Sequence, residues 1–112
     1  MAVSYPPSGE ALAELFERRI VLLDGAMGSM IQKLGLADDD YAGARFASHP
    51  IALKGCSDIL CLTQPKAIED IHYQYYRAGA DIVETNSFTA TSIALADYEL
   101  THLVRELNLA EY

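Results

Sequence analysis

Basic residues are scarce in this chain: eight lysines and arginines stand against sixteen aspartates and glutamates, for a formal charge of -8 over 112 residues. Such an excess repels phosphate backbones and anionic membrane surfaces, which argues against nucleic acid and membrane as partners. Cysteine is equally sparse. Cys56 and Cys61 are too few for a disulfide scaffold, and no second cysteine pair or His-x-x-x-His spacing completes a tetrahedral zinc set. Both read as packing or loop thiols, and no metal site is predicted from these residues. Apolar runs of the roughly 18 residues needed to span a bilayer are missing. The opening Met1-Ala2-Val3-Ser4-Tyr5-Pro6-Pro7 also lacks the basic and apolar regions of a signal peptide. A cytoplasmic location is the resulting expectation. What is present, 51% hydrophobic and 21% charged residues, is an ordinary globular balance.

Along the chain, Ser8 is placed to cap a helix carrying Ala11, Leu12, Leu15 and Phe16 at helical spacing. Ile20-Val21-Leu22-Leu23 is a continuous apolar run of strand length, the pattern of a parallel strand buried on both faces. It ends in Asp24-Gly25-Ala26-Met27-Gly28-Ser29, after which Met27, Met30, Ile31 and Leu34 predict a helix stopped by Gly35. Between Leu36 and Leu62 no period is sustained, so the segment reads as a long irregular excursion, a functional loop or lid, with at most a helical turn. Pro65 then opens a helix with Ala67, Ile68, Ile71, Tyr75 and Ala78 on one stripe, and Gly79 stops it. Residues 80–86 predict a second strand. Ser87 or Thr89 is placed to cap a helix through Tyr98, and Leu100, Leu103, Val104 and Leu107 continue the helical period. Alternating strands and helices of this kind predict an α/β fold with parallel βα units. Two such strands cannot cover their own faces, so the chain is expected to be the opening, truncated part of a larger enzyme.

Two polar clusters follow the predicted strands, the position where parallel folds place ligands. Asp24-Gly25-Ala26-Met27-Gly28 offers a carboxylate followed by residues small enough for backbone N–H groups to approach an anion. That combination suits the ammonium and carboxylate of an α-amino acid. A strand-ending turn with glycines for geometry alone fits the spacing equally well. In Glu84-Thr85-Asn86-Ser87, strand alternation puts Thr85 and Ser87 on one side and Glu84 and Asn86 on the other. Asp24 and Glu84 are also candidates for an acid and base pair, with their separation open. His49, His72 and His102 read as structural or solvated, and Tyr73, Tyr75 and Tyr76 as helix packing.

Leu23-Asp24-Gly25-Ala26-Met27-Gly28-Ser29-Met30-Ile31-Gln32 resembles the start of the homocysteine-binding domain of cobalamin-dependent methionine synthases, within the homocysteine S-methyltransferase family. Arg45-Phe46, Leu53-Lys54-Gly55, Ser57-Asp58-Ile59-Leu60, Thr63-Gln64-Pro65, Ala78 to Phe88 and Ser92 to Tyr98 resemble that family in the same order. The likeness covers about residues 19–110, leaving 1–18 as a helical extension and 19–112 as a partial homocysteine-binding domain. It includes the long excursion, a region that is shorter in betaine-dependent relatives.

The resemblance implies the first βα units of a (β/α)8 barrel. It also implies a reaction in which the thiolate of homocysteine, bound to zinc, takes a methyl group from methylcobalamin, itself replenished from 5-methyltetrahydrofolate. Zinc favours the thiolate near neutral pH, which is the nucleophilic form. Asp24 and the backbone of Gly25, Ala26 and Met27 are implied to hold the amino-acid end of homocysteine, with Glu84, Thr85 and Asn86 nearby. The family's zinc cysteines belong to later strands and do not match Cys56 or Cys61, so zinc and cobalamin are expected in a parent enzyme and not on this chain. No catalytic residue is assigned here, and the chain alone is expected to be inactive. Its implied partners are homocysteine and the remaining barrel, folate and cobalamin domains. Ala26 and Ser29 stand where glycine and threonine are also common in the family, and both keep small size or a hydroxyl. Competing expectations are a homocysteine methyltransferase using betaine or S-methylmethionine, and a small non-catalytic binding protein.

Overall fold

A computed structural model describes residues 7–112. The chain is built from α1 (Pro7–Arg18), α2 (Met27–Lys33), α3 (Asp38–Ala42), α4 (Leu60–Thr63), α5 (Pro65–Ala78), α6 (Ser92–Ala96) and α7 (Val104–Glu111). Short 3-10 turns at Ser57–Ile59 and Thr101–Leu103 lead into α4 and α7.

The α/β fold expected from the sequence is overturned. Among the described residues no strand or sheet forms, and the two predicted strands meet only at an isolated parallel bridge between Leu23 and Ile82. The bridge rests on Asp24 N–H to Ile82 O at 3.0 Å and Ile82 N–H to Leu22 O at 3.2 Å. The physical reason lies in cover. A parallel strand needs neighbours along its edges and packing on both faces, and here Ile20, Leu22 and Leu23 are 82%, 51% and 61% exposed. The contact is held instead by charge: Arg19 grips Asp81 at 2.8 and 2.5 Å, and Asp81 accepts the Leu22 N–H at 3.0 Å. Those contacts hold the Asp81 carboxyl at about 2, first through the Arg19 hydrogen bond and then through the Leu22 N–H.

The core sits elsewhere. Tyr41, Phe46, Leu53, Cys56, Ile59, Leu60 and Cys61 are buried with Ile31, Ile68, Ile71, Leu95, Leu100, Leu103 and Leu107. Half of these residues come from the segment expected to be an irregular excursion. Its acidic cluster makes α3, where Asp38, Asp39 and Asp40 occupy the first turn and favour its dipole, and Asp40 accepts the Ala37 N–H at 2.8 Å. Cross-ties close the body: Arg45 pairs with Glu106, His49 Nε2 lies 2.6 Å from Tyr98 O, and Gln64 Nε2 donates to Asp40 O at 3.2 Å.

The helices predicted from punctuation form where expected. α2 ends before Gly35, and α5 (Pro65–Ala78) is stopped by Gly79, whose φ of 115° is a left-handed conformation that glycine adopts without steric cost. The helix before Tyr98 is shorter than expected, because Thr91 is its cap and accepts the Ala94 N–H at 3.2 Å, while Thr89 bonds elsewhere. α1 forms but buries no residue, and Ser8 lies inside it. The radius of gyration, 16.7 Å, exceeds the roughly 13 Å typical of a compact domain of this length, in keeping with a body that leaves one apolar segment uncovered.

Candidate functional site

The parallel bridge places the two polar clusters side by side. Immediately after it, Asp24 turns its carboxylate to accept the Glu84 backbone N–H at 3.2 Å. Asp24, Gly25, Ala26, Met27, Glu84, Thr85, Asn86, Ser87 and Phe88 then line one cavity of about 220 Å³. All seven residues singled out for substrate are thus brought together. Ala26, with extended backbone at φ -63° and ψ 127°, hands the chain into α2 without a side-chain cap. The hydrogen bond between Asp24 and Glu84 runs through the Glu84 backbone N–H.

The second cluster divides as alternation suggests for Thr85 and Ser87, whose hydroxyls lie 2.6 Å apart. Asn86 turns inward and is buried, donating from Nδ2 to Ser57 O at 2.8 Å, with Cys61 Sγ at 3.6 Å. Glu84 is exposed at the rim. The expected capping roles of Ser87 and Thr89 do not occur: Thr89 donates its hydroxyl to Asp58 Oδ1 at 2.8 Å and its N–H to Oδ2 at 3.2 Å.

Four residues matter here beyond those read from sequence. Tyr75, expected only to pack, donates its hydroxyl to Ala26 O at 2.7 Å and so pins the Asp24 turn to α5. A Cβ at Gly25 would lie 3.1 Å from that hydroxyl and 3.2 Å from the ring, so a side chain there would press on Tyr75. Asp58 and Thr89 fasten the second loop, and Phe88, 97% exposed, stands at the mouth. Only Tyr75 carried a legible signal, its place on the apolar stripe of α5. Asp58 and Thr89 depend on a contact between residues thirty-one positions apart, which no local pattern records.

The described residues do not fit a zinc ion. No group of three or more histidine, cysteine, aspartate and glutamate side chains among them is arranged to hold a metal. Cys56 and Cys61 are buried free thiols, and burial pushes both up, Cys61 to about 11, against the thiolate that zinc requires. No helix among the described residues is long and apolar enough to cross a membrane.

The stretch from residue 21 to 111 matches the family model described as homocysteine S-methyltransferase. That match takes in both loops of the cavity, the Asp58 turn and every buried element, and with it the chain belongs to the homocysteine S-methyltransferase family.

Proposed function

We propose that this chain supplies the part of a cobalamin-dependent methionine synthase that grips the amino-acid end of homocysteine. The observation that carries this reading is the convergence of the Asp24 turn and the Glu84–Asn86 loop on one cavity inside the matched stretch. Asp24 Oδ2 is held by the Glu84 N–H, which fixes the carboxylate where it can pair with the substrate's ammonium. The turn through Gly25, Ala26 and Met27 presents backbone N–H groups to the substrate's carboxylate, and Tyr75 keeps that turn from drifting. Thr85 and Ser87 add hydroxyls on the facing wall. Zinc and methylcobalamin belong, in this reading, to the rest of a larger cytoplasmic enzyme together with its folate-binding domain, and no step here runs through them.

Calorimetric titration of the chain with L-homocysteine tests this. Binding is expected to be equal with and without zinc, and Asp24→Asn is expected to weaken it about tenfold, the worth of one charge-assisted hydrogen bond. Unchanged affinity in Asp24→Asn, or binding that needs zinc, would overturn the assignment.

A further inference from the structure

The loop that carries Glu84, Thr85 and Asn86 is not held by regular structure of its own. It is clamped at two points onto the 3-10 turn Ser57–Ile59: Asn86 donates to Ser57 O, and Thr89 donates twice to the Asp58 carboxylate. Asp58 is only 1% exposed, so its charge has little but Thr89 to replace water. The clamp also shapes a second cavity of about 270 Å³, which adjoins the first through Met27, Asn86 and Phe88. Thr89 lines the second cavity, and its neighbour Phe88 lines both.

Glu111, at the end of α7, meets the same turn. It is 8% exposed, and neither carboxyl oxygen has a hydrogen-bond partner among the described residues. We propose that Asp58 is a positioning residue for the substrate loop, and that Glu111 in its protonated form lets the Asp58 carboxylate hold Thr89 in place. This inference rests on the homocysteine-binding reading of the cavity.

The chemistry around Glu111 supports it. Burial, and next the neighbouring Asp58, push the Glu111 carboxyl up to about 8. Other titratable groups around it are Cys56 before the turn and, lining the same cavity as Glu111, Cys61 on α4, Glu69 and His72 on α5, and Tyr112. None of these is a fixed cation, so Asp58 and Glu111 cannot both ionise cheaply. Near neutral pH Glu111 holds its proton, so its side chain brings no negative charge to the turn that carries Thr89. As pH rises through about 8, Glu111 loses its proton and a second negative charge appears beside Asp58. The folded chain binds more protons than the unfolded one between the ordinary glutamate value and about 8, so stability falls as pH rises across that window.

The test uses the full chain, reading L-homocysteine affinity by calorimetry and the Thr89 amide by NMR from pH 6 to 9. In the parent chain, affinity and the Thr89 resonance are expected to change together near pH 8. Glu111→Gln, which cannot ionise, is expected to remove that inflection and leave only the ligand's own titration, common to both proteins. Asp58→Asn is expected to weaken homocysteine about tenfold at pH 7. If that variant fails to fold, Thr89→Val removes the hydroxyl bond alone and is expected to weaken binding by about threefold or more. An inflection that persists in Glu111→Gln, or full affinity in a folded Asp58→Asn, would overturn the proposal. If no form binds homocysteine, the functional reading fails, and the Thr89 resonance still decides whether Glu111 acts through Asp58.

Discussion

The segment from Ile20 to Leu23 and the segment from Leu36 to Leu62 exchange the roles that their sequences advertise. The first is continuously apolar and lies exposed, touching the rest of the chain at one parallel bridge. The second has no sustained period and supplies Tyr41, Phe46, Leu53, Cys56, Ile59, Leu60 and Cys61 to the core. Hydrophobicity along the chain measures what burial would yield, whereas burial itself requires a partner surface. Among the described residues, Ile20, Leu22 and Leu23 have one backbone neighbour and no covering helix. The weakly patterned segment changes between α-helix, 3-10 turn and extended backbone every few residues, so its inward positions share no single spacing. Packing from α5 and α7 nevertheless covers it on both sides.

Substitutions that treat the two segments alike should separate them most strongly. Leu60→Ala removes a fully buried side chain and is expected to cost about 2–5 kcal/mol, visible as a large drop in urea midpoint. Leu22→Ala is expected to stay within about 0.5 kcal/mol, as exposed positions do. Equal costs would break the contrast and show Leu22 to be covered in solution. A smaller effect tests the junction: Tyr75→Phe deletes the hydrogen bond to Ala26 O and is expected to cost about 1 kcal/mol, with weaker homocysteine binding measured alongside. Thr91→Ala is expected to cost about 1 kcal/mol by uncapping α6, on the body's side of the comparison.

The mildest test concerns the bridge itself. Asp81 is held at about 2 by Arg19 and the Leu22 N–H, below the ordinary aspartate value. Its contribution is therefore complete above the ordinary value and is lost as pH falls toward 2. The Leu22 amide resonance should titrate in that acid window and stop doing so in Asp81→Asn. Titration unaltered by that change would mean that the ion pair does not hold the bridge. Because Arg19 is half exposed, the pair is expected to weaken further in high salt.

The candidate site shows the same division between local and distant information. Asp24 and the small residues after it, and the polar run Glu84–Asn86, are visible as clusters because each is contiguous. Their convergence depends on backbone pairing between positions about sixty apart. The Asp58 side chain has nothing local to mark it, since among the described residues it accepts its hydrogen bonds from Thr89, thirty-one residues away. Capping was misread for a related reason: Ser87, Thr89 and Thr91 all suit a helix start, but Ser87 bonds Thr85 within its own loop and Thr89 bonds the distant Asp58.

By itself the sequence determined the family likeness, the acidic character, and those helices whose limits are written as proline, glycine and one apolar stripe, α2 and α5 above all. These are local properties, set by steric limits on single residues and by spacing along one helix. Only tertiary structure decided that the strand-like runs remain a single bridge, that the unpatterned segment becomes the core, and that a buried carboxylate fastens the loop through Thr89. Each of those outcomes depends on which surfaces and charges meet across the chain, through packing and desolvation between residues far apart in sequence.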